Sequence, residues 1–126
     1  MRLPLITYLV ADYDRAIAWF TTVLGFTLLE DTPLGGKKRW VRVAAPGGAA
    51  ELLLAEADGP EQRAAIGKAA GGRVGFFLRT DNFTAEHARL LGHGVRFLEA
   101  PRSEPYGTVA VFEDLYGNKW DLIEPR

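Results

Sequence analysis

Cysteine is absent from the 126-residue sequence, and histidine occurs only twice. The absence of cysteine excludes disulfides, thiolate nucleophiles and thiolate metal sites, and it is typical of cytoplasmic proteins. No apolar run approaches the roughly 20 residues that a membrane-spanning helix requires. The formal net charge of -1 predicts no general attraction to nucleic acid or to anionic membranes. We therefore expect a soluble cytoplasmic protein with no nucleic-acid or membrane partner.

The composition that remains is that of an ordinary globular protein. Apolar residues make up 48% of the chain and charged residues 25%, which excludes extensive disorder. The stretch Met1-Arg2-Leu3-Pro4 leads directly into a predicted strand and contains no signal-peptide core. A chain of this length is expected to bury one core as a single domain.

The chain carries an internal repeat. One helical stretch runs from Asp12 to Gly25 and a second from Asp81 to Gly94, a spacing of 13 residues in both cases. A strand-like run precedes each stretch and three follow it, so that each copy predicts strand, helix, strand, strand, strand. We expect two modules, residues 3–55 and 73–124, within a single domain and joined by a linker at residues 56–72.

The elements follow from apolar alternation and from glycine and proline turns. The predicted strands of the first module are Leu5 to Val10, Phe26 to Glu30, Lys38 to Ala44, and Ala50 to Ala55. Those of the second module are Arg73 to Leu78, Val95 to Glu99, Thr108 to Glu113, and Lys119 to Ile123. A brief helix is expected at Glu61 to Ile66, and Pro101 to Pro105 is predicted to form a loop.

Two segments together resemble a known family. Residues 12–26, DYDRAIAWFTTVLGF, and residues 112–124, FEDLYGNKWDLIE, resemble the vicinal oxygen chelate superfamily of glyoxalase I, bleomycin-resistance proteins and extradiol dioxygenases. The resemblance extends from Leu3 to Glu124. It implies an α+β fold in which two tandem βαβββ modules form a curled mixed sheet around a cleft. Members of the superfamily are commonly dimers, so we expect a homodimer.

The resemblance also indicates where metal ligands would stand. In metal-dependent members, four ligands come from the first and last strands of each module. The first-strand positions correspond here to Leu5 and to either Arg73 or Val74, and the last-strand positions to Glu51 and Asp121. Glu51 and Asp121 are 70 residues apart and Asp12 and Asp81 are 69 apart, which suggests that the two carboxylates occupy equivalent places.

This ligand set predicts that no metal cofactor is bound. Two carboxylates without imidazole partners are a poor site for zinc, nickel or catalytic iron, and Arg73 would repel a cation. The alternative is a loosely bound divalent ion at Glu51 and Asp121, since hard cations accept oxygen ligands and water. Neither histidine falls at a ligand position. His87 is expected to pack beside its helix and His93 to lie exposed in a turn.

A second group of residues is predicted to contact a ligand. Glu51 and Asp121 are expected to face the cleft, where burial would raise the pKa of at least one of them unless Arg73 neutralises it. Trp40 and Tyr106 are predicted to form cleft walls. The predicted ligand-binding residues are therefore Glu51, Asp121, Arg73, Trp40, Tyr106 and Thr7.

These residues favour a metal-free protein that binds a small amphipathic organic ligand in a dimer cleft. The alternative is a metal-dependent glyoxalase-like lyase or dioxygenase, in which Glu51 or Asp121 transfers a proton. A metal-free isomerase that uses the same two carboxylates as acid and base ranks below both. The ligand, and whether any reaction is catalysed, stay open at this point.

Overall fold

The computed structural model describes residues 1–48 and 50–126. The chain divides into two compact units, residues 1–66 and 67–126. The first unit contains β1 (Leu5–Val10), α1 (Tyr13–Ala18) with a π-helical continuation (Trp19–Val23), β2 (Thr27–Pro33), β3 (Arg39–Ala44), β4 (Glu51–Glu56) and α2 (Gly59–Ala65). The second contains β5 (Val74–Arg79), α3 (Phe83–Gly92), β6 (Arg102–Glu104), β7 (Gly107–Glu113) and β8 (Lys119–Pro125).

The predicted α+β fold of two βαβββ modules is confirmed. Each unit has its own four-stranded mixed sheet, with the orders β1-β4-β3-β2 and β5-β8-β7-β6. The first and last strands of each module pair in parallel, and the other pairs are antiparallel. The repeat in the sequence is therefore a repeat of topology, and β1, β2, β5 and β6 are the edge strands of their sheets.

The helices begin at side-chain caps. The carboxylate of Asp12 accepts a hydrogen bond from the N–H of Arg15 at 3.0 Å, and the amide oxygen of Asn82 accepts one from Ala85 at 3.1 Å. Each satisfies a helical N–H that has no partner inside the helix. The second cap is Asn82 and not Asp81, so the counterpart of Asp12 stands one residue later than the sequence spacing predicts.

A glutamate on the last strand of each module reaches the same helix end. Glu56 accepts from the N–H of Tyr13 at 3.2 Å, and Glu124 accepts from the N–H of Phe83 at 2.7 Å. Tyr13 and Phe83 each follow the capping residue of their helix. Glu56 and Glu124 therefore provide matching reference points for comparing the two modules.

A helix covers one face of each sheet. In the first unit the buried side chains include Tyr8, Val10, Phe20, Val43 and Leu54, and the rings of Tyr8 and Phe20 meet edge to face at 5.2 Å. In the second unit they include Phe83, Leu90, Phe112, Trp120 and Leu122. Since adjacent strand residues point to opposite faces, the residues between these buried positions lie on the other face of each sheet.

The prediction of a strand at Val95 to Glu99 is wrong. Only Phe97 forms an isolated bridge in that segment, with Phe112. The Glu99 carboxylate accepts the N–H of Val111 at 3.0 Å, so a side chain takes a place in the ladder that a backbone carbonyl would otherwise fill. The regular pairing is made instead by β6, which lies inside the segment predicted to be a loop.

Candidate functional site

The face of each sheet opposite its helix carries the predicted site residues. We call these surfaces the first helix-free face, on β1, β3 and β4, and the second helix-free face, on β5, β7 and β8. The first helix-free face carries Thr7, Trp40, Arg42, Glu51 and Leu53. The second carries Phe77, Arg79, Val111, Asp121 and Ile123. The structure thus places Glu51 and Asp121 on the helix-free side, as their alternation with buried neighbours predicts.

Glu51 is engaged in an ion cluster. The guanidinium of Arg42 donates to the Glu51 carboxylate and, at 3.0 Å, to Glu30 on β2. The hydrogen bond to Glu51 is the main cause that raises the pKa of Arg42, and the hydrogen bond from Arg42 is the main cause that lowers the pKa of Glu30. A metal ion at Glu51 would therefore have to displace a guanidinium that is already well bonded.

Asp121, unlike Glu51, accepts no hydrogen bond from an arginine among the described residues. It is only 9% exposed, and its Oδ1 atom has no hydrogen-bond partner among the described residues. Burial raises the pKa of the Asp121 carboxyl, because a charged group loses hydration there; the positive field of Arg102 acts against this, and the negative field of Glu99 adds to it. The pKa increase predicted for at least one of the two carboxylates thus falls on Asp121.

Arg102 is the cation near Asp121. Its guanidinium donates to Glu99 at 2.9 Å and to Glu104 at 2.7 Å. The prediction had assigned the neutralising role to Arg73, which is exposed and lies one residue before β5 begins. The position of Arg102 near Asp121 was not predicted, because its segment was expected to form a loop and no local pattern marked it as a strand residue.

Glu51 and Asp121 are not equivalent in the repeat. The parallel pairing starts with Leu5 opposite Glu51 in the first module and with Val74 opposite Lys119 in the second. Lys119 is therefore the counterpart of Glu51. The prediction that Asp121 is that counterpart is wrong, because Asp121 lies two residues further along β8. The modules differ in turn length and β5 carries a bulge after Val74, so a constant sequence offset does not preserve the register.

The other candidate residues lie in different settings. Thr7 is exposed and pairs with Leu53, whereas Trp40 is half-buried on β3. Tyr106 is 57% exposed in the turn between β6 and β7. Arg73 borders a small pocket of the second unit that is also lined by Phe76, Asn118 and Lys119. Thr7 and Trp40 belong to the first unit, and Arg73 and Tyr106 belong to the second.

The residues present do not fit a resident metal ion. In the described part of the chain, no group of three or more His, Cys, Asp or Glu side chains could hold one. Leu5 and Val74, which open the parallel pairings, offer no ligand atom. His87 is half-buried between the rings of Phe83 and Phe97, at centroid distances of 5.4 and 4.4 Å, so it packs beside its helix. Glu51 and Asp121 offer only carboxylate oxygens and no imidazole, a donor set that transition metals disfavour.

Comparison with known proteins gives the family context. Residues 2–122 match the sequence model of the Glyoxalase/Bleomycin resistance protein/Dioxygenase superfamily. A protein of Shewanella frigidimarina (strain NCIMB 400) is 50% identical over 121 residues, which cover 94% of this chain and 90% of that protein. No helix in the described residues is both long and apolar enough to cross a membrane.

Two solved structures are similar over nearly their whole length. The crystal structure of UcmS2 has a TM-score of 0.84 and 33% identity, covering 98% of each chain. That of TnmS3, an antibiotic binding protein from Streptomyces sp. CB03234, has a TM-score of 0.81 and 32% identity, covering 100% of this chain and 97% of that one.

Proposed function

The chain belongs to the glyoxalase/bleomycin resistance protein/dioxygenase superfamily, and we propose that it binds a small amphipathic organic molecule without a metal ion. The observation that carries the proposal is the ion cluster in which Arg42 bonds both Glu51 and Glu30. Because this cluster neutralises the Glu51 carboxylate, the first helix-free face favours an organic ligand over a cation.

The composition of the helix-free faces supports binding of an amphipathic molecule. Trp40 and Leu53 supply apolar surface beside Arg42 and Glu51 on the first face, and Phe77 is 63% exposed on the second. Sites for small organic ligands combine apolar walls with a few polar groups in this way. The likeness to an antibiotic binding protein at 32% identity supports the same class of ligand. Thr7, Arg73 and Tyr106 remain proposed contacts on this basis.

We further propose that the protein acts as a homodimer and that the ligand lies in a cleft to which both copies contribute. β1 and β5 are edge strands of their sheets, and an edge strand is a place where a second copy can associate. Exposed apolar side chains, among them Ile6 at 44%, Phe77 and Tyr106, give the surface that association would remove from water. The oligomeric state is measured by sedimentation velocity, and a monomer at every concentration tested would contradict this part of the proposal.

A metal-dependent lyase or dioxygenase has less support. It would require Glu51 to exchange Arg42 for a metal ion, and further ligands would have to replace Leu5 and Val74. Acid–base chemistry by Glu51 and Asp121 together is equally unsupported, because one carboxylate is already paired with a guanidinium. We therefore retain binding as the proposed function.

The ligand arm of the test uses thermal unfolding with a panel of compounds. Purified protein in EDTA is mixed with bleomycin, with other antibiotics that carry planar aromatic groups, and with matched neutral solutes as controls. A ligand that binds only the folded state raises the melting temperature by mass action. We expect at least one amphipathic compound to do so in EDTA, and calorimetry to give a single-site isotherm. No binding to any member would contradict the proposal.

The metal arm uses the same preparation. The protein is incubated with zinc, nickel, manganese and iron, then dialysed, and its bound metal is measured by mass spectrometry. We expect a content well below one equivalent. Near-stoichiometric metal that disappears in Glu51→Ala, but persists in Glu113→Ala as the matched control, would overturn the metal-free function.

A further inference from the structure

Asp121 carries a buried oxygen with an unused capacity to accept a hydrogen bond. Its side chain is more than nine-tenths buried, and no described residue donates to Oδ1. A buried polar atom without a partner costs free energy, so proteins leave few of them, and those that persist call for a functional explanation.

The neighbouring charges do not satisfy this oxygen. Arg102, the cation whose field reaches Asp121, directs its guanidinium to Glu99 and Glu104. Glu99 in turn uses its two oxygens for Arg102 and for the N–H of Val111. None of these hydrogen bonds reaches Asp121, so the network leaves Oδ1 without a donor.

The strands on either side of Asp121 supply apolar surface. Phe77 is its Cα partner on β5 and Val111 its partner on β7. Phe77 presents 63% of its surface to solvent even though it lies beside a buried carboxyl. An exposed aromatic ring next to an unpaired acceptor matches a molecule that places an N–H or O–H donor next to a flat apolar group.

We propose that Asp121 is the polar anchor of a ligand that carries an amine or hydroxyl beside an aromatic group, and that Phe77 packs against that group. This inference rests on the proposed function and specifies its ligand class. An amine or hydroxyl would donate to the Asp121 carboxylate. A carboxylate in the same place would lack a hydrogen to donate and would be repelled by the Asp121 carboxylate.

The test uses three probes that differ only in their polar end: 2-naphthylmethylamine, 2-naphthylmethanol and 2-naphthoate. Each is titrated into the protein at neutral pH and followed by two-dimensional NMR of the backbone amides. We expect the amine and the alcohol to bind more tightly than the carboxylate. Asp121→Asn keeps a neutral oxygen acceptor but removes the negative charge, so it should weaken binding of the charged amine by about tenfold.

Two further variants separate the roles. Phe77→Ala should weaken binding of the amine and the alcohol by a similar factor, because both share the naphthyl ring. Glu113→Gln, which removes a carboxylate two residues along β7 from Val111, should leave the preference of the protein for the amine unchanged. Asp121→Ser provides a second substitution at the anchor, and the amide spectrum reports whether each variant is folded.

The outcomes separate this inference from the proposed function. Equal affinity of the unsubstituted protein for all three probes, a preference that survives in Asp121→Asn, or no binding of any naphthyl probe would each overturn the inference. Binding of an antibiotic in the panel described above would then show that the proposed function still stands. If that panel also fails, both are wrong.

Discussion

Glu51 stands five residues before the helix-capping Glu56, whereas Asp121 stands three residues before Glu124, which caps the other helix. Both carboxylates therefore point to the helix-free side of their sheets, but they meet different neighbours. Leu53, three residues before Glu56, is the counterpart of Asp121 in the first sheet. The residue opposite Leu53 on β3 is Arg42, whereas the residue opposite Asp121 on β7 is Val111. A guanidinium neutralises one carboxylate, while the other lies beside an isopropyl group, and this difference is what distinguishes the two faces chemically.

Removal of the Asp121 charge should stabilise the protein at neutral pH. Because the pKa of Asp121 is raised above its ordinary value of 3.8, the unfolded chain releases this proton at a lower pH than the folded chain does. The destabilisation is absent below pH 3.8 and develops as the pH rises through the folded-state pKa. Asp121→Asn should therefore be more stable than the unsubstituted protein in urea unfolding at pH 7.5, and this advantage should shrink at pH 3.5.

The matched control for this prediction is Asp81→Asn, which removes the charge of an exposed aspartate in the same unit. Its effect on the free energy of unfolding should stay within about 0.5 kcal/mol at both pH values. A loss of stability in Asp121→Asn at pH 7.5 would show that the Asp121 carboxylate is satisfied in solution.

The two helix caps should contribute similar stability. Asp12→Ala and Asn82→Ala each remove an acceptor for a first-turn N–H, and each should lower the free energy of unfolding by about 1 kcal/mol. Asp81→Ala should cost much less, because Asp81 is not the cap. Chemical denaturation of the three variants measures this directly. A larger loss of stability for Asp81→Ala than for Asn82→Ala would show that Asp81 is the helix cap, as the sequence spacing predicts.

Asp114 should be the most sensitive polar residue of the β7–β8 turn. Its carboxylate accepts the indole N–H of Trp120 at 2.8 Å and the backbone N–H groups of Tyr116 and Asn118 at 2.9 and 3.0 Å. Because all three donors lose their acceptor at once, Asp114→Ala should lower the free energy of unfolding by about 3 kcal/mol. Urea denaturation at pH 7 measures the loss.

Trp120→Phe provides a partial version of the same change, because it removes the indole donor but keeps the backbone bonds to Asp114. It should cost less than Asp114→Ala. The double variant should lose less than the sum of the two single losses, since both remove the same side-chain hydrogen bond. Additive losses would mean that the bond between Asp114 and Trp120 contributes nothing to stability.

The ion cluster on the first sheet should make stability fall in acid. The pKa of Glu30 is lowered below its ordinary value of 4.5 by the hydrogen bond from Arg42, so this stabilisation is present above pH 4.5 and is lost as the pH falls through the folded-state pKa. Between pH 6 and pH 3, about the interval over which the Glu30 carboxylate is protonated, the melting temperature of Arg42→Met should fall less than that of the unsubstituted protein. High salt should reduce the difference between the two proteins.

Arg79→Met is the control for the Arg42 prediction. Arg79 is an exposed arginine on the second helix-free face, so its replacement should leave the acid-induced drop in melting temperature unchanged. An equal change in both variants would mean that the effect arises from the net charge of the protein and not from the Arg42 cluster.

Most of the fold could be predicted from the sequence. Asp12, Gly25 and Gly94 mark helix ends through local geometry, and both glycines adopt the left-handed conformation, with φ of 75° and 80°. The second strand of the second module was missed because apolar alternation at Val95 to Glu99 resembles a strand. The Glu99 side chain interrupts the hydrogen-bond ladder with β7 there. Apolar periodicity cannot predict that a side chain, and not a backbone carbonyl, accepts the N–H of Val111.

The candidate site was predicted less completely. The side on which Glu51 and Asp121 lie follows from alternation, a property of each strand alone. Which arginine lies near each carboxylate, Arg42 near Glu51 and Arg102 near Asp121, depends on how distant segments pair. Arg73 was chosen because the family resemblance places it near a first-strand ligand position, but Arg102 reaches Asp121 because β6 pairs with β7 next to β8.

The sequence by itself determined the repeated order of helices and strands and the face that each strand residue occupies, because caps, glycine turns and alternation depend on residues a few positions apart. Only the tertiary structure decided which charges meet. Strand register depends on turn lengths and on the bulge in β5, and a shift of two residues leaves the face of a side chain unchanged while it replaces every neighbour across the sheet. For this reason Glu51 has a guanidinium partner, and Asp121 keeps a buried oxygen that has none among the described residues.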